Sequence, residues 1–326
     1  MRQLEQSAAF ALEVVLGDAA EIPSDWRRFL ALAKLNVVLV RSRDAFAKNG
    51  IPVPPDFAAE AVREEGRIGE ALSLISELAA LCDAAGIECV FTKAFQHYPD
   101  MGHDIDLFVA DRSRIVDDLV QERLGGRILP GSFANWVSDK TGYDIPGRAT
   151  PVEIHHGRLG HLGEHGRFAR QVSARRKRIL IGGVAAWAPS AEDQLLLQAL
   201  QRIYGHLSIR AADVCASARL LRGDLDWGYI LATAEKCGIR DGFLFYLACI
   251  EDIYSSVCGP GLPLPKIPRP KADFSSREVY NIPKDSAARF YLSQMFSAGM
   301  GGDAEVMGRL ALLPICASIA AVRKFL

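Results

Sequence analysis

Apolar and polar residues follow two different periods along this chain, and the changes of period mark its parts. Through residue 85 the spacing is helical. SDWRRFLALAKLNVVLVRSRDAFAKNG, residues 24–50, sets apolar side chains three and four apart behind a capping Ser24 or Asp25 and ends at Asn49 and Gly50. A second helix is predicted over 57–84, with the turn IPVPPD between the two. From residue 87 the pattern becomes strand-like: IECVFTK at 87–93, DIDLFVA at 104–110, FANWVSD at 133–139 and TPVEIHH at 150–156. RSRIVDDLVQERLGG, 112–126, reads as a helix stopped by two glycines that crosses the sheet between the second and third strands. Helical spacing returns at 190–206, 210–222, 226–238 and 241–256. GPGLPLPKIPRP, 259–270, holds five prolines and is expected to be an extended connector before a last helical pair. The expected fold is α/β of the α+β kind. A mixed-sheet core at 86–185 is flanked by helical regions at 1–85 and 186–326.

Composition places this pattern in a folded protein and removes some partners. The chain has 326 residues, 49% of them apolar and 24% charged, enough to bury a sizeable core. Its 38 basic and 39 acidic residues leave a formal charge of −1, so no general affinity for nucleic acid is expected and any anion site must be local. The seven cysteines form no CxxC pair and lie mostly in apolar stretches, which reads as buried thiols. The opening MRQLEQSAAFALEVVLGDAAE lacks a secretory pattern, so cytoplasmic residence is the expectation. LALLPICASIAAV, 310–322, is shorter than the ~20 residues of a membrane span and contains Pro314; it reads as a docked terminal helix, with no transmembrane segment expected.

The chemistry concentrates in VFTKAFQHYPDMGHDIDLFV and VEIHH. Asp104 and Asp106 are two residues apart at the head of an apolar strand, so both carboxylates lean to one face, where like charges repel unless cations compensate. Oxygen ligands of this kind suit magnesium or manganese. A third acid on a neighbouring strand would complete a two-metal site for phosphoryl transfer, and Glu153 is the leading choice. It would hold the metal on the attacking side and accept the nucleophile's proton. Asp144, in GYDIPG, is the rival, although its neighbours suggest a turn. If repulsion dominates, replacing either aspartate should leave the apo protein as stable as before or more so. HHGRLGHLGEH places His155, His156, His161 and His165 among glycines; a mobile lid is expected there, with a zinc cluster as the competing reading. RFARQVSARRKR, 167–178, has six basic residues in twelve and reads as an exposed helix end or a local anion site.

These stretches, with AEDQLLLQALQR, IRAADVCASARLL and LDWGYILATAEKCGI, resemble the uncharacterised bacterial nucleotidyltransferases of the DNA polymerase beta superfamily over residues 25–255. The resemblance implies catalytic and metal-binding roles for Asp104, Asp106 and Glu153, with Lys93 and His155 matching the family's lysine and histidine. Ala94 stands where the family has a glycine beside the phosphates, and His103 stands near a missing arginine. The implied reaction is metal-dependent transfer, with Mg2+ or Mn2+, of a nucleotidyl group from a nucleoside triphosphate to a small-molecule, sugar or peptide acceptor, releasing pyrophosphate. Two alternatives stay open. His103 and Asp104 also form the doublet of metal-dependent phosphohydrolases, and the departures at Ala94 and the missing arginine suit a non-catalytic nucleotide-binding protein.

Overall fold

The computed structural model describes residues 7–17, 21–110 and 113–316. Four helices lead: α1 (Ala8–Leu16), α2 (Trp26–Leu35), α3 (Leu39–Lys48) and α4 (Pro55–Ala84). Asp25 caps α2 by accepting from the Arg28 amide at 3.0 Å, and a proline begins α4, where its missing N–H costs no helical bond. The helix expected over 24–50 is broken after Leu35, and Val37 has φ +57°. Tertiary bonds explain the break. Buried Asn36 donates through Nδ2 to the carbonyls of Leu32 (3.1 Å) and Glu278 (2.7 Å) and accepts the Ala211 amide on Oδ1 (3.0 Å). A continuous helix would not hold it in that position.

The central segment contains β1 (Cys89–Phe91), β2 (Ile105–Val109), α5 (Ile115–Leu124), β3 (Arg127–Ile128), α6 (Phe133–Val137), β4 (Lys140–Asp144) and β5 (Val152–His156). The strands form one mixed sheet in the order β1-β2-β5-β4-β3, parallel between β2 and β5 and antiparallel elsewhere. The strand predicted at 133–139 is a short helix. Ser132 accepts the Asn135 amide at 3.1 Å and starts a turn that the apolar run alone did not reveal. The third long strand follows at β4 and ends at Asp144, so the expected turn at that residue is also corrected.

Period-two alternation then divides β2 between two cores. Ile105, Leu107 and Val109 pack with Ile68, Leu72 and Ile75 of α4, whereas Phe108 packs with apolar residues of the N-terminal and C-terminal helices. Asp106 shares the Phe108 side and is therefore carried toward those helices.

After α7 (Gly166–Ala174) comes a hairpin, β6 (Lys177–Ile181) and β7 (Val184–Ala188), turned by Gly182 and Gly183, both at positive φ. The basic run 167–178 thus forms the exposed end of α7, as read, and continues into β6. Arg175, Arg176 and Arg178 pair with Glu192, Glu88 and Asp83. α8 (Ala191–Ala199) continues into a π-helical turn, Leu200–His206. β8 (Ser208–Ile209), α9 (Ala211–Leu221), α10 (Trp227–Lys236) and α11 (Arg240–Cys258) follow, then the proline-rich connector without regular structure. β9 (Ser275–Ser276), β10 (Tyr280–Asn281), α12 (Lys284–Met300) and α13 (Ala304–Leu310) end the described fold. Of the stretch read as a docked helix at 310–322, residues 317–322 lie outside the described residues, as do 1–6 and 18–20 of the opening stretch. Cys258 is exposed, against the expectation of buried thiols, and the cysteines are free. No helix among the described residues is long and apolar enough to cross a membrane.

Asn36 ties three chain segments together, so its loss should be felt globally. Asn36→Ala should lower unfolding free energy by about 3 kcal/mol in a urea titration, because buried partners lose their bonds. A change below about 0.5 kcal/mol would show that those bonds are replaced on mutation.

Candidate active site

Asp106 faces Glu153 directly in the register of β2 and β5, and His155 lies two residues beyond Glu153 on the same face. Lys140 of β4 pairs with His155 and reaches diagonally to Glu153. The register alone thus brings two acids, a histidine and a lysine into one place. Lys93 arrives just beyond the end of β1, where the Thr92 amide bonds the Asp106 carbonyl at 3.1 Å.

The distances are those of a compact ionic cluster. Lys93 Nζ donates to Asp106 Oδ1 at 2.6 Å, and His155 Nε2 lies 2.8 Å from that oxygen and 3.0 Å from Glu153 Oε1. Lys140 Nζ donates to Glu153 Oε1 at 2.9 Å. Asp106 is 2% exposed, so its charge has little help from water. Burial alone would raise its carboxyl pKa, but Lys93 and the hydrogen bond and charge of His155 hold it far below the usual range. Burial opposes ionisation of Glu153 as well, yet His155 and Lys140 bring it down to about 2. Desolvation by itself would lower the Lys93 ammonium, and Asp106 reverses the sign. Asp104, just ahead of β2, behaves differently: desolvation within the cleft and the neighbouring Asp106 charge push it up, and it makes no ion pair among the described residues.

These groups line a cleft of about 570 Å3. Lys93, His103, Asp104, Asp106, Glu153 and His155 all reach it; Ala94 does not. The Ala94 methyl is 4% exposed and packs in the core with Phe95, so it does not crowd the cleft where the glycine was expected. Asp144 is exposed at the far end of β4 and is not a lining residue. The ligand atoms of Asp106, Glu153 and His155 lie within 4.8 Å of one another, and no grouping of that kind among the described residues includes His161 or His165. The zinc reading of the histidine-rich loop is therefore unsupported there. The mobile-lid reading is corrected too. Arg158, Leu159, Leu162, Glu164 and His165 are buried, Arg309 donates to the Leu162 carbonyl at 2.9 Å, and His165 Nε2 lies 3.0 Å from Gln294 Nε2.

Several lining residues were not foreseen: Gln96, His97, Lys140, Gln201, Arg202 and Arg210 among them. Lys140 was hidden by the misplaced strand. Those from the C-terminal region carry no local motif and reach the site only through tertiary packing. Buried Asp213 is the link: it pairs with His97 (2.9 Å) and Arg202 (2.8 Å) and accepts the Arg210 amide (2.7 Å). This joins the segment after β1 to α9 and the π-helical turn. On the other side, Asp100 accepts the amides of Val40 and Arg41 at the start of α3. The segment before β2 is thereby fixed to the N-terminal helices.

The family whose model matches this chain is described as "Uncharacterised nucleotidyltransferase", over residues 23–255. A solved structure, an antigenic nucleotidyltransferase-like protein from Paracoccidioides brasiliensis, aligns at 17% identity with a TM-score of 0.35, covering 47% of this chain and 76% of that one. No curated protein matches.

The ion pairs overturn the expectation that both aspartates merely repel. Asp106→Asn should destabilise the metal-free protein by roughly 2–4 kcal/mol, because it strips the desolvated Lys93 and His155 of their partner. Asp104→Asn should leave the melting temperature unchanged or raise it. Calorimetry in chelator at pH 7.5 checks both, and equal melting temperatures for the two variants would contradict the assignment of Lys93 to Asp106.

Proposed function

This chain belongs to the uncharacterised nucleotidyltransferase family, and from that premise we propose that it uses the cleft for metal-dependent transfer of a nucleotidyl group from a nucleoside triphosphate to an acceptor, releasing pyrophosphate. The observation that supports this most is the pairing of Asp106 with Glu153 on adjacent parallel strands, beside Asp104 and His155, at the wall of an open cleft. The acceptor oxygen or nitrogen would bond to the α-phosphorus while its bond to the bridging oxygen breaks. Pyrophosphate would leave with that electron pair, and the acceptor's proton would pass to a carboxylate of the cleft or to water.

The residues fit a divalent ion. Asp106, Glu153 and His155 converge, Asp104 is close enough to act on Asp106 electrostatically, and a set dominated by oxygen suits Mg2+ or Mn2+. Lys93 already donates to Asp106 Oδ1, so a cationic group stands where the ion would bind. When bound, the ion would supply charge neutralisation on the reacting phosphate. The chain's own residues do the rest. Lys93 and Lys140 hold the carboxylates ionised, and His155 fixes Asp106 and Glu153 relative to each other. Glu153, held at about 2, is better suited to keeping charge than to taking the acceptor's proton.

A second reading, nucleotide binding without turnover, draws on the same ion pairs, because Lys93 and Lys140 already satisfy part of the negative charge. The phosphohydrolase reading loses support from the local structure: His103 and Asp104 lie in the exposed segment before β2 and not on a helix.

Incubating the protein with Mn2+ or Mg2+ and each labelled triphosphate, against small-molecule, sugar and peptide acceptors, tests the proposal. Pyrophosphate release and a matching mass gain on one acceptor are expected. Asp104→Asn, Asp106→Asn and Glu153→Gln should each lower turnover by about 1,000-fold or more, since positioning and charge neutralisation supply most of phosphoryl-transfer catalysis. Metal-dependent nucleotide binding with no transfer to any acceptor would favour the second reading. Turnover of Asp106→Asn within threefold of wild type would contradict the first.

A further inference from the structure

The cleft has a second wall, built by elements remote in sequence from the carboxylates: the π-helical turn Leu200–His206 and the junction of β8 and α9. It contributes Gln201, Arg202, His206 and Arg210. The two arginines are not equivalent. Arg202 is 2% exposed, and its charge is matched by Asp213 at 2.8 Å. Asp213 is fully engaged, since it also holds His97 and the Arg210 backbone amide. The Arg210 guanidinium, half-buried on the cleft, makes no ion pair among the described residues.

Asp104 has the opposite charge and the same condition. It lines the facing wall, makes no ion pair among the described residues, and lies close enough to stabilise the Arg210 charge electrostatically. Elsewhere in the cleft the formal charges are paired: Lys93 with Asp106, Lys140 with Glu153, Arg202 with Asp213. One guanidinium and one carboxylate thus remain, on opposite walls. With one cation and one anion left without an ion-pair partner, the cleft suits a ligand that brings an anion to one wall and a cation to the other. A polyphosphate carrying a divalent ion has that composition.

We propose that Arg210, assisted by His206 and Gln201, is the anchor for the terminal phosphates of the triphosphate donor, with Asp104 addressing the cation that travels with them. The inference rests on the nucleotidyltransferase reading and deepens it by assigning the polyphosphate to the C-terminal wall. A planar guanidinium suits this role because it can present two parallel N–H donors to phosphate oxygens. The positive charge of the wall acts on His206 as well. Desolvation, then Arg202, Lys93 and Arg210, push its imidazole down to about 4. A bound polyphosphate would favour its protonation.

Isothermal titration with inorganic tripolyphosphate, with a nucleoside triphosphate and with the matching monophosphate, all with Mn2+, tests this in wild type, Arg210→Met and Arg210→Lys. The Arg210 amide, not its side chain, makes the bond to Asp213, so both variants should melt within about 2 °C of wild type. Arg210→Met should weaken tripolyphosphate and triphosphate binding by about 10–100-fold, the range for losing a charge-assisted bidentate contact, and monophosphate binding by less than threefold. Arg210→Lys should recover part of the loss. The His206 ring resonances in wild type should move toward the protonated form when tripolyphosphate is added. Equal tripolyphosphate affinity in wild type and Arg210→Met would overturn the inference, and so would an equal loss for monophosphate and triphosphate, which would assign Arg210 to the α-phosphate or to a phosphorylated acceptor. Wild-type protein that binds none of the four ribonucleoside triphosphates would instead sink the reading on which the inference rests.

Discussion

The parallel pairing of β2 and β5 puts Asp106 opposite Glu153, and much of the cleft follows from the need to keep those two charges together. Two carboxylates on adjacent strands, one of them almost without solvent, would each favour protonation. Here three cationic or hydrogen-bonding side chains prevent that. Lys93 comes from the end of β1, Lys140 from β4 and His155 from β5 itself, so each neighbouring strand contributes one compensating group. The sheet order is what makes this possible, because β5 lies between β2 and β4 and β1 borders β2 on the other side. A slip of one residue in β2 would turn Asp106 into the α4 core and Leu107 into the cleft.

The helical regions hold this arrangement from both sides. The segment between β1 and β2 is fixed by Asp100 to the start of α3 and by His97 to Asp213 of α9. The N-terminal and C-terminal helices also share one apolar core, in which Phe10 and Phe29 meet residues such as Leu196 and Phe243. Buried Asn36 adds hydrogen bonds to Glu278 and Ala211 across the same junction. The cleft is therefore a product of the whole chain, with paired acids and cations on the sheet side and Arg202 and Arg210 on the helix side.

Features encoded locally were legible in the sequence, and those created by distant contacts were not. Alternation in DIDLFV and VEIHH marked two strands whose polar positions share a face, and resemblance to the family pointed to Lys93, Asp104, Asp106, Glu153 and His155, all of which line the cleft. The helix at 133–137 was missed because five residues with aromatic character look like a strand until the Ser132 cap is weighed. That error displaced the next strand and hid Lys140. Arg202 and Arg210 sit in stretches that read as ordinary helix and helix start, and only packing on Asp213 brings them to the cleft. The histidine-rich loop misled in the other direction: glycines suggested mobility, whereas Leu162, Glu164 and His165 are buried beneath contacts from α12 and α13.

Lys93 sits on the Asp106 oxygen that the proposed divalent ion would need, so under that proposal metal and lysine would compete until a phosphate drew the lysine away. Mn2+ titration followed by electron paramagnetic resonance, on wild type and Lys93→Met, with and without a non-hydrolysable triphosphate, tests this most directly. Wild type should bind Mn2+ weakly alone and about tenfold or more tightly with the triphosphate, while Lys93→Met should bind Mn2+ more tightly than wild type when no nucleotide is present. Mn2+ affinity in nucleotide-free Lys93→Met equal to or below that of wild type would contradict it.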